Sequence, residues 1–456
     1  MNVTIISDSA LCDYADIAVT LAKALCQKNT VNLIIPYYEN EYDRDKYDFK
    51  ELGRFEIRQG SRSVTIEALY FKLDRINCYL ISNSYFFSRT KRHGYADEAE
   101  RSAVFCNSAL ELYRHLGVYP HYVFSIGCFC ALIPIYLKLN FSCDDCYRSI
   151  KSFHLINDKR YGIFDKLLAQ NDFGIYPSNT HIVTASNEIN LTKGAIVCAN
   201  RIFIGEGAAS ILKDINSPCH SALIQFGFKI RKLKLGIDYS LFDTENENEI
   251  LSPFYPDNTM PKEDNKNFIL HHYGFDPKPD IPLILLFCDK RSCISDTVIE
   301  NILKCNVYLV VISASGTDFK TSETNLRTET SLSLSDIRNL FSGADFSVFA
   351  SPGQNSLSYH YISCAYACVP IVPFCDYFDN GITYFNKITM EGNGFTYNQK
   401  NRNDLLYTLW DAIGIYRHNP KCFYKLRANC MKKQFPASDT AKQIESEADK
   451  SINISF

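Results

Sequence analysis

Four cysteines between positions 128 and 146 have the residue type and spacing of a metal site. They form two pairs, Cys128-Phe-Cys130 and Cys143-Asp-Asp-Cys146, and paired thiolates are preferred ligands of structural zinc. The chain has 18 cysteines in all, however, and most lie scattered in apolar stretches. That usage is typical of free thiols in a reducing cytoplasm. We therefore predict a cytoplasmic protein with no bound metal.

A glycine pair offers a second kind of chemistry. The segment Gly205-Glu-Gly-Ala-Ala-Ser210 follows an apolar strand and is similar to a shortened dinucleotide-binding fingerprint. Glu206 would face the phosphates, and Ser210 stands at the third glycine. Glycine is also scarce, with 20 residues in 456, against an average of about 7%. We predict a tight turn between a strand and a helix, and no cofactor.

The elements that must position such residues alternate between strand and helix along the chain. A long amphipathic helix is predicted over 97–116, where Gly117 provides the stop. Helices are also predicted over 15–26 and 441–450. Strands are predicted over 3–7, 31–36, 122–125, 201–204, 281–287, 306–313 and 346–350. This alternation favours parallel sheets in α/β layers.

Composition excludes several classes of protein. The net charge is −3 and no long basic run is present, so nucleic acid is not expected as a partner. No run of 18 apolar residues occurs, which argues against a membrane span. The opening residues predict a β-strand and not a signal peptide.

The length and the distribution of polar residues predict two main domains. The most polar stretch runs from Asp243 to Lys266 and contains three prolines. We predict an N-terminal domain over 1–243, a linker over 244–264 and a C-terminal domain over 265–430. The remaining segment, 431–456, is predicted to be a helix that packs back on the first domain.

The segment from Phe341 to Val372 carries a family resemblance. It reads FSGADFSVFASPGQNSLSYHYISCAYACVPIV and resembles the pattern GADVxLxPSxxEPCGLxQLxAMxYGxxPxV of bacterial glycogen synthases and plant starch synthases. Further matches follow in order along the chain, at residues 15–16, 101–106, 109–112, 132–137, 151–165, 193–202, 236–242, 255–274 and 394–395. Together they identify the chain as a divergent member of that family.

The resemblance implies a fold, a reaction and partners. The fold is α/β of the GT-B type, in which two Rossmann-like parallel-sheet domains face a cleft. The family reaction transfers glucose from ADP-glucose to the non-reducing end of an α-1,4-glucan, with retention of configuration. The implied partners are therefore ADP-glucose or another nucleotide sugar, and an α-glucan.

Substitutions remove most of the cations that the family uses at the diphosphate. The Lys-Thr-Gly-Gly loop aligns with residues 10–13, which read Ala-Leu-Cys-Asp. In the second cation pair, the arginine is Asp289 and the lysine is Ile294. Fixed cations at a leaving diphosphate are a large catalytic term. Lys290 and Arg291 could restore one cation by a shift of register; the alternative is two solvated surface cations.

The family's catalytic-loop glutamate aligns with Gln354. Glutamine still forms hydrogen bonds with sugar hydroxyls, but it carries no charge and is no base. Asn355, Ser356 and Leu357 follow at positions that bind the nucleotide sugar in the family. Leu357 replaces a glycine, which argues against close approach of a phosphate.

Two further positions complete the predicted site. The family's histidine beside the reacting sugar carbon aligns with Asn157, and a different register would place His154 there instead. Asp16 aligns with the aspartate of the family's Leu-Ala-Asp and is predicted at the nucleotide-sugar site.

We therefore predict a glycogen or starch synthase homologue that has lost most of its transferase chemistry. Such a protein would act by binding a glucan, a nucleotide sugar or an active synthase. One alternative is a working glycosyltransferase with a different donor or acceptor. The other is a structural protein.

Overall fold

The computed structural model describes residues 1–9, 16–39, 42, 47–60, 62–246, 248–288, 294–313, 324–330, 332–350, 358–401 and 403–453. The chain divides into two units. Unit 1 comprises Met1–Leu235 and Ala437–Phe456, and unit 2 comprises Gly236–Pro436. Residues 244–264 thus belong to unit 2. No helix in the described ranges is long and apolar enough to cross a membrane.

Unit 1 contains the first twelve strands. Their bounds are β1 Asn2–Ile6, β2 Thr30–Pro36, β3 Lys50–Gln59, β4 Arg62–Leu73, β5 Ile76–Ser82, β6 Tyr122–Ile126, β7 Lys151–Ile156, β8 Ile163–Phe164, β9 Thr184–Ala185, β10 Glu188–Asn190, β11 Arg201–Ile204 and β12 Ile230–Lys232. Its helices are α1 Ile17–Leu25, α2 Ser84–Phe87, α3 Glu98–Leu116, α4 Leu132–Leu139, α5 Asp145–Arg148, α6 Leu168–Asn171, α7 Thr180–Val183, α8 Leu191–Cys198 and α9 His220–Gln225.

Unit 2 contains the remaining strands. They are β13 Leu283–Phe287, β14 Tyr308–Ile312, β15 Leu326–Glu329, β16 Phe346–Phe349, β17 Val369–Pro373 and β18 Phe395–Tyr397. Its helices are α10 Lys262–His272, α11 Asp296–Leu303, α12 Leu334–Gly343, α13 Tyr359–Ala365, α14 Asp404–His418 and α15 Pro420–Lys432. The last helix, α16 Ala437–Asn453, belongs to unit 1.

The large sheet of unit 1 is doubly wound. Its strand order is β12-β11-β7-β6-β1-β2-β5-β4-β3. Pairing is parallel from β12 to β5, and the β3–β4 hairpin is added antiparallel at one edge. The chain moves outward from β1 through β2 and β5, then returns to the other side of β1 as β6. This reversal creates a topological switch point between β1 and β6, where open α/β sheets bind ligands.

The sheet of unit 2 has the Rossmann strand order, β15-β14-β13-β16-β17-β18, and all its pairs are parallel. Its switch point lies between β13 and β16. The central strands read as continuous apolar runs because helices cover both faces; Leu283–Phe287 is buried along its whole length. Both sheets confirm the predicted class of two Rossmann-like parallel-sheet domains.

Helix α16 packs on unit 1 through an apolar face and one buried carboxylate. Ile444 and Ala448 are fully buried in the core of unit 1. The carboxylate of Glu447 accepts from Arg201 Nε at 3.0 Å and from Arg231 Nε at 3.2 Å. Since an unpaired buried carboxylate is costly, these two arginines fix the position of the helix.

Candidate functional site

A triad of charged residues lies at the switch point of unit 1. Asp8 lies two residues after the end of β1, His93 lies in the segment between α2 and α3, and Glu98 is the first residue of α3. His93 Nε2 lies 3.0 Å from Asp8 Oδ2, and His93 Nδ1 lies 3.3 Å from Glu98 Oε2. One imidazole thus bridges two carboxylates at the carboxyl end of the sheet.

His93 and Asp8 hold opposite charges at neutral pH. Burial acts to lower the pKa of His93, but Asp8 and Glu98 outweigh burial and raise that pKa to about 9. Burial acts to raise the pKa of Asp8, but the hydrogen bond and charge of His93, with the charge of Arg160, lower it below its usual value. The imidazolium of His93 is therefore paired with the carboxylate of Asp8, and the Glu98 side chain contacts the other ring nitrogen.

Arg101 ties this triad to the backbone. Its side chain is fully buried on α3 and pairs with Glu98 through Nη1 at 2.8 Å. The same guanidinium donates to the carbonyl oxygens of Phe86, at 2.8 Å, and Arg92, at 2.7 Å. Because Arg92 precedes His93, this contact fixes the segment that carries the histidine.

A second ion pair lies beyond the end of β7. Arg160 donates to Asp158 Oδ2 through Nε at 2.9 Å and Nη2 at 2.7 Å. Despite burial, the partner carboxylate raises the pKa of Arg160 above its usual value. Burial raises the pKa of Cys128, in the turn after β6, to about 12. The Cys128 thiol is therefore neutral and is a poor nucleophile.

The histidine of β7 is part of the core. His154 is 1% exposed, and its Nδ1 lies 2.8 Å from Ser125 Oγ on β6. Burial lowers the pKa of His154 to about 3. The ring is therefore neutral at physiological pH and is held away from solvent, so the alternative register through His154 provides no accessible acid or base.

Asn157, the predicted catalytic position, lies at the carboxyl end of β7 and packs against the end of β11. A Cβ atom added at Gly205 would lie 2.0 Å from Asn157 Oδ1. Gly205 is therefore required by the close approach of this side chain. The residues after it form a 3-10 helix, Glu206–Leu212, so the turn that we predicted here is confirmed.

Asp16 has a structural role at the start of α1. Its Oδ1 accepts from the backbone N–H of Ala18 at 2.8 Å and of Val19 at 3.0 Å. These bonds satisfy two donors that have no partner within the helix. Binding of a nucleotide sugar by Asp16 stays a prediction.

The other predicted site residues follow two neighbouring strands of unit 2. Six of them lie outside the described residues, namely Lys290, Arg291, Gln354, Asn355, Ser356 and Leu357. The residues that immediately precede these two segments are described: Cys288 follows β13 and Ala350 follows β16. Ala350 N donates to Phe287 O at 3.0 Å. Cys288 and Ala350 thus lie at the switch point of the sheet, where ligands bind in open α/β sheets.

Several aromatic and apolar residues lie at this edge of unit 2. Phe287 stacks on Phe349 at 5.0 Å and on Tyr359 at 5.0 Å between ring centroids. Ile294, at the family's lysine position, is 4% exposed. Ser358 precedes α13 with φ 57° and forms no side-chain cap bond. Tyr359 is thus half-buried against Phe287, and Ile294 contributes no polar group.

The four cysteines of the candidate metal site differ in their exposure to solvent. Cys130 is buried, Cys128 is half-buried, and Cys143 and Cys146 are exposed. Within the described ranges, no group of three or more histidine, cysteine or acidic side chains is arranged to hold a metal ion. The described part of the chain thus presents charged pairs and no chelating cluster.

Sequence reasoning did not find the ion triad. Asp8 carries a weak signal, because a carboxylate directly after a first buried strand lies at the binding edge of the sheet. His93 and Arg160 carry none, since loop residues far apart in the sequence meet only through the topology. The charged side chains described above form pairs of opposite charge. The pKa values of His93, His154 and Cys128 all lie away from neutral pH.

Comparison with known proteins gives one family. A model of the starch synthase catalytic domain matches residues 13–205. A glycogen synthase of Clostridium botulinum (strain Alaska E43 / Type E3) is 26% identical over 431 residues, covering 88% of each chain. A glycogen synthase of Clostridioides difficile (strain 630) is 24% identical over 463 residues, covering 94% of each chain.

Solved structures show the same fold. The catalytic domain of starch synthase IV from Arabidopsis thaliana, bound to ADP and acarbose, aligns with a TM-score of 0.87 at 18% identity and covers 99% of each chain. A sucrose-phosphate synthase from Thermosynechococcus elongatus aligns with a TM-score of 0.58 at 11% identity and full coverage. These likenesses show a GT-B fold built from two Rossmann-like units.

Proposed function

Because this chain belongs to the glycogen and starch synthase family of glycosyltransferases, we propose that it acts by binding an α-glucan and has lost most or all transferase activity. A nucleotide sugar is the second proposed ligand, and an active synthase is the third. The observation that supports the loss of transferase activity is the triad of Asp8, His93 and Glu98 at the switch point of unit 1.

The triad disfavours a diphosphate at this edge. A leaving diphosphate needs fixed cations directed at its developing charge. Here the imidazolium of His93 is held between two carboxylates, and Arg160 is held by Asp158. An incoming anion would have to displace a carboxylate from its partner and would face that carboxylate afterwards, so the local charge opposes donor binding.

The aligned substitutions act in the same direction. Loss of one transition-state donor lowers the rate by about 10²–10³. Residues 10–13 provide no lysine and no glycine, Asp289 replaces an arginine, and Ile294 replaces a lysine. Ile294 is buried and apolar, so a simple exchange back to lysine would place an unpaired charge in the core. We expect the rate of glucose transfer to be more than about 10⁴-fold below that of an active relative.

Glucan binding does not require these cations. Sugar hydroxyls are bound by neutral and charged hydrogen-bonding groups, and glutamine at position 354 retains both a donor and an acceptor. The proposal is therefore that the acceptor polymer is retained as a ligand after the donor chemistry has gone.

The test is electrophoresis of the purified protein through native gels with and without glycogen. We expect glycogen to retard the protein relative to bovine albumin, and maltoheptaose added to the gel to reverse the retardation. Equal mobility in both gels would contradict glucan binding. Retardation together with glucose transfer that Gln354→Ala abolishes would instead favour the working glycosyltransferase.

A further inference from the structure

An exposed aromatic pair lies on the outer face of α14 in unit 2. Tyr407 is 56% exposed and Trp410 is 49% exposed. Their ring centroids lie 5.5 Å apart and their planes meet at 75°. Residues three apart in a helix are neighbours on its surface, so the two rings form adjoining walls of one open corner. Burying an aromatic ring would have been favourable, and two neighbouring exposed rings therefore mark a binding surface.

Polar groups flank the aromatic pair. Asp411 lies one helical turn from Tyr407, on the same face. Its carboxylate accepts from Tyr384 Oη at 3.1 Å and pairs with Lys387. Tyr384 is itself 42% exposed. The corner of two rings is thus bordered by a carboxylate, an ammonium and a phenol.

Trp410 and Tyr384 are each held by a further contact within unit 2. Trp410 Nε1 donates to Cys305 Sγ at 2.8 Å. Tyr384 packs edge-on against Phe395 of β18, with centroids 5.2 Å apart. One turn beyond Trp410, a Cβ added at Gly414 would meet no heavy atom within 4 Å, so the surface stays open along the helix. A rigid, open surface loses little conformational entropy when it binds a ligand.

We propose that this surface, formed by Tyr384, Lys387, Tyr407, Trp410 and Asp411 and named here the α14 surface, binds an α-glucan. The proposal rests on the glucan binding proposed above and assigns it a second place on the molecule. It goes beyond the switch-point residues, because α14 packs against the edge strand β18 and the helices α11 and α15.

The chemistry of the α14 surface fits a glucan better than an anion. Aromatic faces pack on the apolar C–H faces of glucose, while the carboxylate and ammonium form hydrogen bonds with its hydroxyls. An α-1,4-glucan curves, so successive glucose units can lie against two rings that meet at an angle. A nucleotide or phosphate would need an excess of cations, but Asp411 neutralises Lys387.

A single tryptophan makes the proposal directly measurable. Trp410 is the one tryptophan in the sequence, so intrinsic tryptophan emission reports on the α14 surface alone. We expect maltoheptaose to change the emission of the wild-type protein in a saturable manner. Cellopentaose, a β-1,4-glucan of straight shape, is expected to change it little, and an equal response to both sugars would overturn the assignment to an α-glucan.

Variants separate this surface from any other glucan site. Trp410→Ala and Tyr407→Ala are each expected to weaken retention by glycogen roughly tenfold or more, as is common for exposed aromatic anchors. Trp410→Phe, which keeps a ring, should lose less. The matched control is Tyr424→Ala, which removes a tyrosine that is 37% exposed on α15 and should bind as the wild type does. Circular dichroism confirms that each variant is folded.

The outcomes distinguish the two proposals. If the wild type is retained by glycogen, but neither variant weakens retention and maltoheptaose leaves the emission unchanged, the α14 surface is overturned and glucan binding stands. If glycogen does not retain the wild type, both proposals fail. If emission instead depends on protein concentration, and Trp410→Ala converts an oligomer to a monomer, the surface binds a second copy of the chain and the glucan assignment is overturned.

Discussion

The exchange Asp345→Asn tests the buried charge cluster that holds the central strands of unit 2. Asp345 is fully buried and directly precedes β16. Its carboxylate pairs with Lys266 Nζ at 2.8 Å and with Arg427 Nη2 at 2.5 Å. It also accepts from the backbone N–H of Leu283, the first residue of β13, at 2.8 Å. Asparagine keeps the shape of the side chain and removes the charge.

The expected loss of stability is large because both cations are buried. Lys266 and Arg427 are 2% and 1% exposed. Lys266 keeps a bond to Tyr416 Oη at 2.7 Å, and Arg427 keeps Glu263 at 3.0 Å, so the loss is partly offset. Breaking a buried pair from one side typically costs about 3–5 kcal/mol. That is a large part of a total unfolding free energy of about 5–15 kcal/mol.

Urea unfolding followed by tryptophan emission measures this loss within unit 2, since the one tryptophan lies there. We expect the midpoint to fall by more than about 1 M urea with an unchanged slope. The control is Asp257→Asn, which breaks an exposed pair with Lys432 at 2.8 Å and should leave the midpoint in place. A shift for Asp345→Asn as small as that of the control would refute the reasoning.

The same variant predicts a dependence on pH. Burial acts to raise the pKa of Asp345, but Lys266 and Arg427 lower it below its usual value of 3.8. The unfolded state therefore binds the proton more readily than the folded state does. The stabilisation from Asp345 is fully present above pH 3.8 and is lost as the pH falls through the lowered folded value. The difference between wild type and Asp345→Asn should shrink in that range.

Two further predictions concern unit 1. The pKa of His93 is raised from 6.5 to about 9, so its contribution to folding stability is fully present below pH 6.5 and is lost as the pH rises through 9. The melting temperatures of wild type and His93→Gln should therefore differ below that window and converge above it. A difference that stays constant with pH would contradict the triad. Gly205→Ala places a Cβ 2.0 Å from Asn157 Oδ1 and should cost about 1–3 kcal/mol. Adding Asn157→Ala should restore most of that loss in a double-mutant cycle, whereas additive losses would mean that the two side chains do not collide.

Much of the fold could be predicted from patterns along the chain. The strand Arg201–Ile204 was predicted with the bounds that the structure gives, and the long helix was placed within one residue of Glu98–Leu116. The β3–β4 hairpin was missed. Strand β3 is mostly exposed and polar, whereas β4 does carry a core-facing alternation, with Ile66 and Ala68 buried. The family resemblance, carried by ordered short matches, is confirmed.

The candidate site was less predictable because it depends on contacts between distant segments. Asn157 and Asp16 were selected because they align with family positions. In the structure, Asn157 packs on Gly205 and Asp16 caps α1. The pairing of Asp8 with His93 needs the loop geometry that Arg101 fixes. Residue type alone does not reveal whether a cation is already paired, and our proposal that transferase activity has been lost depends on that pairing.

The most direct test of the central claim is transfer of radiolabelled glucose from ADP-glucose to glycogen by the purified protein. An active bacterial glycogen synthase serves as the positive control, and Gln354→Ala is assayed beside the wild type. We expect incorporation indistinguishable from the enzyme-free blank for both proteins. Incorporation by the wild type that Gln354→Ala abolishes would contradict the proposed loss of activity, and would mean that the substituted site still transfers sugar.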